Sequence, residues 1–540
     1  MSNLQKAIPF LLKNRLKYLL SRTRSESIKD RADEWLPPTD DAEQFIERNT
    51  EYWQKFYDGV GLREGRFVAF DLTFDERQAL HQVCTIANHI SRAHKAEPLF
   101  LVSDPDHAKV AICRSYFPGE FYSIDMNGFS NADFLDTAIE FVKTIRSLNT
   151  GEELLDYSYQ GVDLGDLIYS TQIRNTGHGT IEEVDATSWK YLFRAILHFN
   201  SCGRLFDNFD VEAVYACHPY YIKGGALARK AVQKSGTVYT IKGGGRQLAK
   251  HGSVDELLTQ FSRPSHELVE HIHGHHRSEA LREADRILPE RMGTDLPPLE
   301  SENYNDEARN RSRPQALILP HIYIEHLRNH ERVFSDMLTW FEKTIEHAKD
   351  DSSVSWRVKP HPNRDHYPMQ RDVFTIVSDI VGDINETTIE FVDENTSRAE
   401  LVEESDVLLT MDGTGGLEYS CYGIPTVLAS TSRYSEFGFT HRPETRSEYF
   451  ELLSDITEMK PLTSAQMERA RVVAYVIFEL VQDQWHAWPE LEGDSQWERA
   501  LRFLEESMER EDVLARNIEH FVESDHRQLY DHTDIRDRYR

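Results

Sequence analysis

Three features are scarce in this chain of 540 residues: long apolar runs, cysteines and basic residues. No stretch approaches the roughly 18 uninterrupted apolar residues of a membrane-spanning helix, so none is predicted. The five cysteines form no Cys-x-x-Cys pair, which excludes a disulfide-built secreted domain and favours a reducing compartment. The 61 basic residues face 91 acidic ones, and the resulting net charge of -30 argues against nucleic-acid binding. We therefore expect a cytoplasmic protein.

The few basic residues are unevenly placed, because the first 24 residues contain six lysines and arginines and no acidic residue. Leucines, Ile8 and Phe10 are interspersed at roughly helical spacing. A basic apolar helix of this kind is typical of segments that lie on a membrane surface. A second interpretation is a helix docked on the acidic surface of the protein itself. The first interpretation predicts a peripheral protein at the inner face of the cell membrane.

The order of apolar segments indicates an α/β fold. Short buried strands alternate with amphipathic helices, which is the rhythm of parallel sheets with crossover helices. The length exceeds what one core ordinarily holds, so several domains are expected. Within the last Rossmann-like domain, the apolar spacing predicts a helix over 331–349. The predicted segments are a basic helical start (1–60), a Rossmann-like domain (61–245), a charged helical linker (246–313), a second Rossmann-like domain (314–480), and C-terminal helices with a tail (481–540).

A loop rich in proline follows the predicted strand 354–358 and reads Lys359-Pro-His361-Pro. Proline pushes the preceding residue toward an extended backbone, which places side chains two residues apart on the same side. The Lys359 ammonium and the His361 imidazole are therefore expected to face one anion. A positive group beside a leaving phosphate stabilises the charge that develops as the bond to it breaks.

A glycine turn follows the predicted strand 407–410. It matches neither the Gly-x-Gly-x-x-Gly dinucleotide fingerprint nor the Gly-Lys-Ser/Thr of a nucleoside triphosphate loop, so no bound cofactor is expected. Glycines permit close approach of a ligand to the backbone, and amides at a helix start bind anions. The acidic residue in the first helical turn is expected to accept hydrogen bonds from ribose hydroxyls, or to complement the helix dipole. The predicted nucleotide-binding residues are Asp412, Gly413, Thr414, Gly415, Gly416 and Glu418.

The first predicted Rossmann-like domain offers candidates for a general base, which must be a carboxylate or imidazole within reach of an acceptor hydroxyl. Asp163 lies in a segment punctuated by glycines and is the first choice. His218 directly follows a predicted strand and is the second. Charged neighbours that are predicted to contact an acceptor or a phosphate are Asp166, Lys223 and Arg229.

Taken together, these segments resemble the capsule polysaccharide biosynthesis glycosyltransferases of GT-B architecture, relatives of the Kdo transferases of capsule assembly. The similar segments cover roughly residues 60–480 and are specific as a set rather than singly. They are Leu319-Pro-His321, Phe334-Ser-Asp336, Val358-Lys-Pro-His-Pro362, 410–425 and, in the first half, 159–169 and 218–229.

The resemblance implies two Rossmann-like domains that face a cleft, the second holding a nucleotide-sugar and the first its acceptor. It implies that His361 contacts the donor phosphate, that a CMP-sugar is the favoured donor, and that no metal ion is required. The acceptor would be a capsule or surface polysaccharide, free or lipid-linked. Related enzymes often place an acidic base in an Asp/Glu-Asp/Glu-Gly loop, which is not clearly present here.

Three alternatives remain open at the level of the sequence. A polyol-phosphate transferase that uses CDP-glycerol would have a similar donor domain. A nucleotide-sugar 2-epimerase would share the fold. A non-catalytic partner in glycan assembly would keep the fold and lack the base.

Overall fold

A computed structural model describes residues 9–13, 15, 40–73, 77–102, 107–117, 119–124, 131–242, 247–259, 266–292, 312–325, 327, 331–393, 396–480, 497–500, 502 and 518–524. These residues belong to two compact units. Unit 1 comprises Met1–Ile168, Glu183–Val254 and Asp483–Asp537, and unit 2 comprises Tyr169–Glu182, Asp255–Gln482 and Arg538–Arg540.

Unit 1 is built on a six-stranded sheet in the order β3-β2-β1-β6-β7-β8. All neighbouring strands are parallel except β7 and β8. The strands are β1 (Arg66–Asp71), β2 (Glu97–Val102), β3 (Glu120–Ser123), β6 (Asp210–Tyr215), β7 (Thr237–Lys242) and β8 (Gln247–His251), while β4 (Ser158–Tyr159) and β5 (Val162–Asp163) pair separately. The helices are α1 (Asp40–Phe56), α2 (Arg77–His94), α3 (His107–Tyr116), α4 (Asn131–Thr144), α5 (Gly151–Leu155), α6 (Gly165–Thr176), α7 (Ala186–Asn208), α8 (Ile222–Gln233) and α9 (Val254–Thr259), of which α6 and α9 continue into unit 2.

Unit 2 is built on a fully parallel sheet in the order β11-β10-β9-β12-β13-β14. Its strands are β9 (Gln315–Ile318), β10 (Ser355–Val358), β11 (Ile389–Phe391), β12 (Val407–Thr410), β13 (Thr426–Leu428) and β14 (Thr440–His441). Its helices are α10 (His266–His275), α11 (Arg277–Met292), α12 (Met337–Asp350), α13 (Val373–Val381), α14 (Arg398–Glu404), α15 (Gly415–Ser420), α16 (Arg446–Ser454) and α17 (Ser464–Tyr475). The prediction of an α/β fold with two Rossmann-like domains is confirmed.

The segment predicted as a linker (246–313) contains two helices that belong to unit 2. α10 and α11 bury an apolar face that includes Val269, Ile272 and Leu288, and both pack against α17. The contact is reinforced at its rim, where Glu468 of α17 lies 3.3 Å from the Nε2 atom of His273. The apolar residues of this segment recur at helical spacing, which is the signal that identifies a packed helix pair rather than an exposed connection. Residues 293–311 lie outside the described part.

The segment Tyr169–Glu182 belongs to unit 2 although it lies in the first half of the chain. It connects two of the segments singled out in the sequence, because Tyr169 contacts Asp336. The Tyr169 hydroxyl donates a hydrogen bond of 2.6 Å to Oδ2 of Asp336, whose Oδ1 accepts the amide hydrogen of Thr339. Asp336 is therefore the N-cap of α12. The helix predicted over 331–349 consequently begins at Met337, because the residue that caps it cannot also be part of its first turn.

The basic start of the chain is described only at residues 9–13 and 15. The Phe10 ring stacks on Phe141 of α4 at a centroid distance of 5.3 Å and meets Phe193 of α7 edge-on. This part of the segment is docked on unit 1, whereas Leu12 is 65% exposed. Near the other end, Trp497 packs against Phe45 of α1. In the described part of the chain, no helix combines the length and apolar character needed to cross a bilayer.

Lys230 of α8 gives unit 1 a predicted pH dependence. Its ammonium lies 3.7 Å from the centroid of the Phe199 ring, and burial lowers the pKa of the lysine from 10.5 to about 8. The Lys230 side chain therefore binds its proton more tightly in the unfolded chain than in the folded one. The free-energy cost of burying the charged ammonium is full below pH 8 and disappears as pH rises toward 10.5. The predicted quantity is the difference in free energy of unfolding between the wild type and Lys230→Met. We expect this difference to shift in favour of the wild type by about 2–3 kcal/mol as the pH rises across this window. Denaturant titrations at pH 7 and pH 10 measure it, and an unchanged difference would contradict it.

Candidate functional site

The carboxyl edge of the unit 2 sheet holds the loops singled out in the sequence. The chain forms β9, β10 and β11 in one direction and then returns to the other side of β9 to form β12. The strand order therefore reverses between β9 and β12. In open α/β sheets, ligands bind outside the carboxyl ends of the strands at such a reversal. Here the edge carries His321 after β9, Lys359 and His361 after β10, and the glycine turn after β12.

The His361 ring has a defined hydrogen-bonding state. Its Nδ1 accepts the amide hydrogen of Asn363 at 3.1 Å, so the neutral ring carries its proton on Nε2. The ring lies nearly parallel to that of His321, with centroids 6.3 Å apart and planes inclined by 29°. The structure thus brings two imidazoles from neighbouring strands together, and presents His361 as a neutral N–H donor.

Lys359 contacts a different part of the edge. Its ammonium donates a hydrogen bond of 3.2 Å to the carbonyl of Thr396, in the loop that follows β11. Burial lowers the pKa of Lys359, and the charges of Arg398 and Arg357 lower it further. The charge of Asp393 acts on the pKa of Lys359 in the opposite direction. Whether Lys359 and His361 share one phosphate stays a prediction, because their described contacts lie on opposite neighbours of β10.

Neighbouring side chains lie so close to Gly413 and Gly415 that they leave no room for a Cβ atom. A Cβ atom on Gly413 would lie 2.7 Å from Nε2 of His321, and one on Gly415 would lie 2.8 Å from Cδ1 of Leu319. The Gly416 amide donates to the carbonyl of Gly413 at 3.1 Å. In the described part of the chain, the amides of Thr414 and Gly415 donate to no backbone carbonyl. The turn thus packs tightly under the β9 loop.

Tyr434 packs against the glycine turn and contacts both Gly413 and Gly416. Its fully buried hydroxyl donates to the Gly413 carbonyl, and it occupies the space that a Cβ atom on Gly416 would need. We expect Gly416→Ala to destabilise unit 2 by about 1–3 kcal/mol, because a buried ring cannot move aside freely. Chemical denaturation measures the loss. Tyr434→Phe should restore part of it in the double variant, since the clashing oxygen is removed. If Gly416→Ala is as stable as the wild type, the turn or the Tyr434 ring can shift to accommodate the methyl group, and the prediction is wrong.

Glu418, in the first turn of α15, is paired with arginine side chains. Its buried carboxylate accepts hydrogen bonds through Oε1 from Nε (3.2 Å) and Nη2 (3.1 Å) of Arg291, at the end of α11. Arg398 lies 3.8 Å from Oε2. Pairing with two guanidinium groups gives Glu418 a structural role that its place in the sequence did not reveal. A carboxylate has about four acceptor positions, so the predicted ribose contact through Oε2 remains open as a prediction.

In unit 1, two predicted ligand contacts bind one another. Arg229 donates to Asp166 through two parallel hydrogen bonds of 2.7 and 2.5 Å, and also to the carbonyl of Asp163. The Arg229 and Asp166 side chains are 1% and 4% exposed. The pair ties α8 to the start of α6. Each charge is neutralised by the other, which gives the pair a structural role. The acceptor or phosphate contact predicted for these residues stays a prediction.

Two remaining candidates in unit 1, His218 and Lys223, lie near the corresponding reversal of strand order, between β1 and β6. Asp71 at the end of β1 is buried and accepts two hydrogen bonds from Thr73. His218 follows β6 and is exposed, and Lys223 lies in the first turn of α8. A Cβ atom on Gly224 would lie 2.7 Å from the His218 carbonyl and 3.1 Å from Oδ2 of Asp71, so the structure brings these loops together. The Asp163 side chain is exposed on β5. The roles of Asp163 and His218 as bases, and the ligand contact of Lys223, stay predictions.

Sequence reasoning missed His321, Arg291 and Tyr434 as members of the unit 2 site. His321 had a usable signal, since an imidazole directly after a predicted strand lies at the carboxyl edge. Arg291 and Tyr434 had none, because they lie 127 and 21 residues from their partners.

No protein-family model and no curated protein matches this chain. Similar solved structures include the Thermosulfurimonas dismutans KpsC beta Kdo 2,4 transferase, which is 13% identical and matches over 48% of this chain and 79% of that one with a TM-score of 0.28. The UDP-GlcNAc 2-epimerase from Neisseria meningitidis bound to UDP-GlcNAc is 10% identical over 82% and 99% of the chains, with a TM-score of 0.23. MurG from Acinetobacter baumannii is 10% identical over 82% and 99%, with a TM-score of 0.25. At such low similarity the fold assignment rests on the two sheets themselves.

Proposed function

We propose that the protein is a glycosyltransferase of GT-B type that transfers a sugar from a nucleotide donor, with a CMP-sugar favoured, to a capsule or surface polysaccharide. One observation carries the proposal: His321, His361 and the Asp412–Gly413 turn meet at the strand reversal of the unit 2 sheet. Imidazole N–H groups at this position suit a phosphate oxygen. The resemblance of the same loops to capsule glycosyltransferases supports the choice of reaction.

In this proposal the donor's phosphate binds at the His361 rim, and the bond between the sugar and that phosphate breaks. Preorganised donors aimed at the departing oxygen stabilise its charge more in the transition state than in the ground state. Side chains supply this charge stabilisation, so the proposal requires no metal ion. The acceptor binds unit 1, where the exposed Asp163 carboxylate or His218 imidazole removes the proton of its hydroxyl.

The test is an assay of nucleotide release and group transfer. The protein is incubated with CMP-sugars, UDP-sugars and CDP-glycerol, each with and without a capsular oligosaccharide, and the products are separated by chromatography. Release of CMP with an elongated acceptor supports the proposal. Transfer of glycerol phosphate, or an epimerised UDP-sugar, would replace it with a polyol-phosphate transferase or an epimerase. Nucleotide binding without turnover of any donor would indicate a non-catalytic partner.

Contact with an anionic membrane is a further part of the proposal, supported by the basic start of the chain and the exposed Leu12. Co-sedimentation with vesicles that contain phosphatidylglycerol should be lost when residues 2–24 are deleted. If the truncated protein binds the vesicles as well as the full chain does, residues 2–24 are not the membrane-binding segment.

A further inference from the structure

His321 and Asp412 form a pair at the strand reversal, whereas the sequence suggested a nucleotide contact for Asp412 alone. Oδ1 of Asp412 lies 3.5 Å from Nε2 of His321, and the two side chains are 6% and 16% exposed. Within the described part of the chain, that carboxylate oxygen accepts no hydrogen bond. A buried carboxylate oxygen without a donor is costly, and the His321 ring, which can supply a proton, lies 3.5 Å from it.

The geometry assigns to His321 the role of a charged catalytic group that contacts the donor's departing phosphate, with Asp412 as the positioning residue that keeps its imidazole protonated. This inference rests on the proposed glycosyl transfer. The two imidazoles then differ in kind: His361 is a neutral donor, because its Nδ1 accepts from Asn363, whereas His321 has a carboxylate beside it.

The backbone is shaped around this pair. Gly413 admits the His321 ring, since any larger residue would place its Cβ atom 2.7 Å from Nε2. Tyr434 holds the Gly413 carbonyl, which fixes the turn that carries Asp412. A carboxylate directly beside a phosphate site would repel the ligand unless a cation lies between them. His321 comes from β9, and Asp412 from β12 on the other side of the reversal, so the imidazole is placed to provide that cation.

The chemical step balances as follows. The bond between the anomeric carbon and the phosphate oxygen breaks, and its electron pair stays on that oxygen. The His321 imidazolium neutralises the new charge by hydrogen bonding to the released nucleotide. The acceptor oxygen forms the new bond to the anomeric carbon, and its proton passes to the base. His321 returns to its pair with Asp412 when the nucleotide departs.

The titratable groups around His321 include Asp412 and His361, and Tyr434 reaches the same turn. A neighbouring carboxylate favours the imidazolium, so removal of its charge makes the ring lose its proton at lower pH. Asp412→Asn should therefore move the alkaline limb of the pH profile of kcat/KM to lower pH. A purely structural pair would leave that limb where it is and change only stability.

The experiment compares wild type, His321→Gln, Asp412→Asn and the control His366→Gln, which replaces an exposed histidine. With the donor that the wild type uses, we expect His321→Gln to lower kcat by about a hundredfold. Calorimetry at several pH values should show that the affinity of His321→Gln for CMP depends less on pH than that of the wild type. The control should match the wild type, and unfolding temperatures identify any variant that fails to fold.

Two results would overturn the inference, and they are distinguishable. If the wild type transfers sugar and folded His321→Gln keeps the same kcat and pH profile, only the role of His321 fails. If the wild type turns over no nucleotide donor, the proposed function fails and the inference falls with it. A lowered kcat in His321→Gln, together with a shifted alkaline limb in Asp412→Asn, supports it.

Discussion

Replacement of His361 by alanine is expected to lower kcat for transfer by about 10²–10³-fold, with a much smaller change in KM. The reason is that a preorganised N–H donor acts mainly on the charge that develops on the departing phosphate. The Asn363 amide holds Nδ1, so the donating atom is Nε2–H. Steady-state kinetics with the activated donor and a saturating acceptor measures the effect. Folding is checked by the unfolding temperature, and His366→Ala is the matched control on the same loop.

The identity of the donating nitrogen permits a sharper comparison. The side-chain amide of glutamine reaches roughly where Nε2 lies, whereas that of asparagine reaches only to the region of Nδ1. His361→Gln should therefore retain more transfer than His361→Asn. The reverse order would assign the contact to Nδ1 and contradict the hydrogen bond from Asn363. Full activity of folded His361→Ala would remove this residue from the mechanism.

The second large effect is on stability, at the buried pair of Asp166 and Arg229. Asp166→Asn should lower the free energy of unfolding of unit 1 by about 3–5 kcal/mol, because it leaves a buried guanidinium without its counter-charge. Denaturant titration combined with hydrogen exchange of the α6 and α8 amides localises the loss. Arg66→Ala removes a half-exposed partner of Glu212 and is the control, with an expected loss of less than about 1 kcal/mol.

Two further results distinguish a structural pair from a ligand contact. Replacing both Asp166 and Arg229 by leucine should recover part of the lost stability, since no unpaired charge then remains buried. Asp166→Asn with the stability of the wild type, but with weakened acceptor binding, would restore the ligand contact that the sequence suggested and refute the structural role.

Much of the fold follows from local pattern. The predicted strand 407–410 coincides with β12, because its apolar residues form a short continuous run that ends at a glycine-rich loop. The same reasoning placed Lys359, His361 and the glycine turn at the carboxyl edge of a parallel sheet. It failed at the start of α12, where Asp336 caps the helix. In 246–313 it predicted helices but not their packing in unit 2, because dense surface charge concealed the apolar face of α10 and α11.

By itself the sequence determined the class of fold, the ends of several strands and the two loops that carry the phosphate hypothesis, since each depends on residues that are neighbours along the chain. Only the tertiary structure decided which of these residues meet. His321 reaches Asp412, and Arg229 binds Asp166, because strand order and helix packing bring together residues 91 and 63 positions apart. Local hydrophobic periodicity specifies which face of each element is buried, but not which other element covers that face.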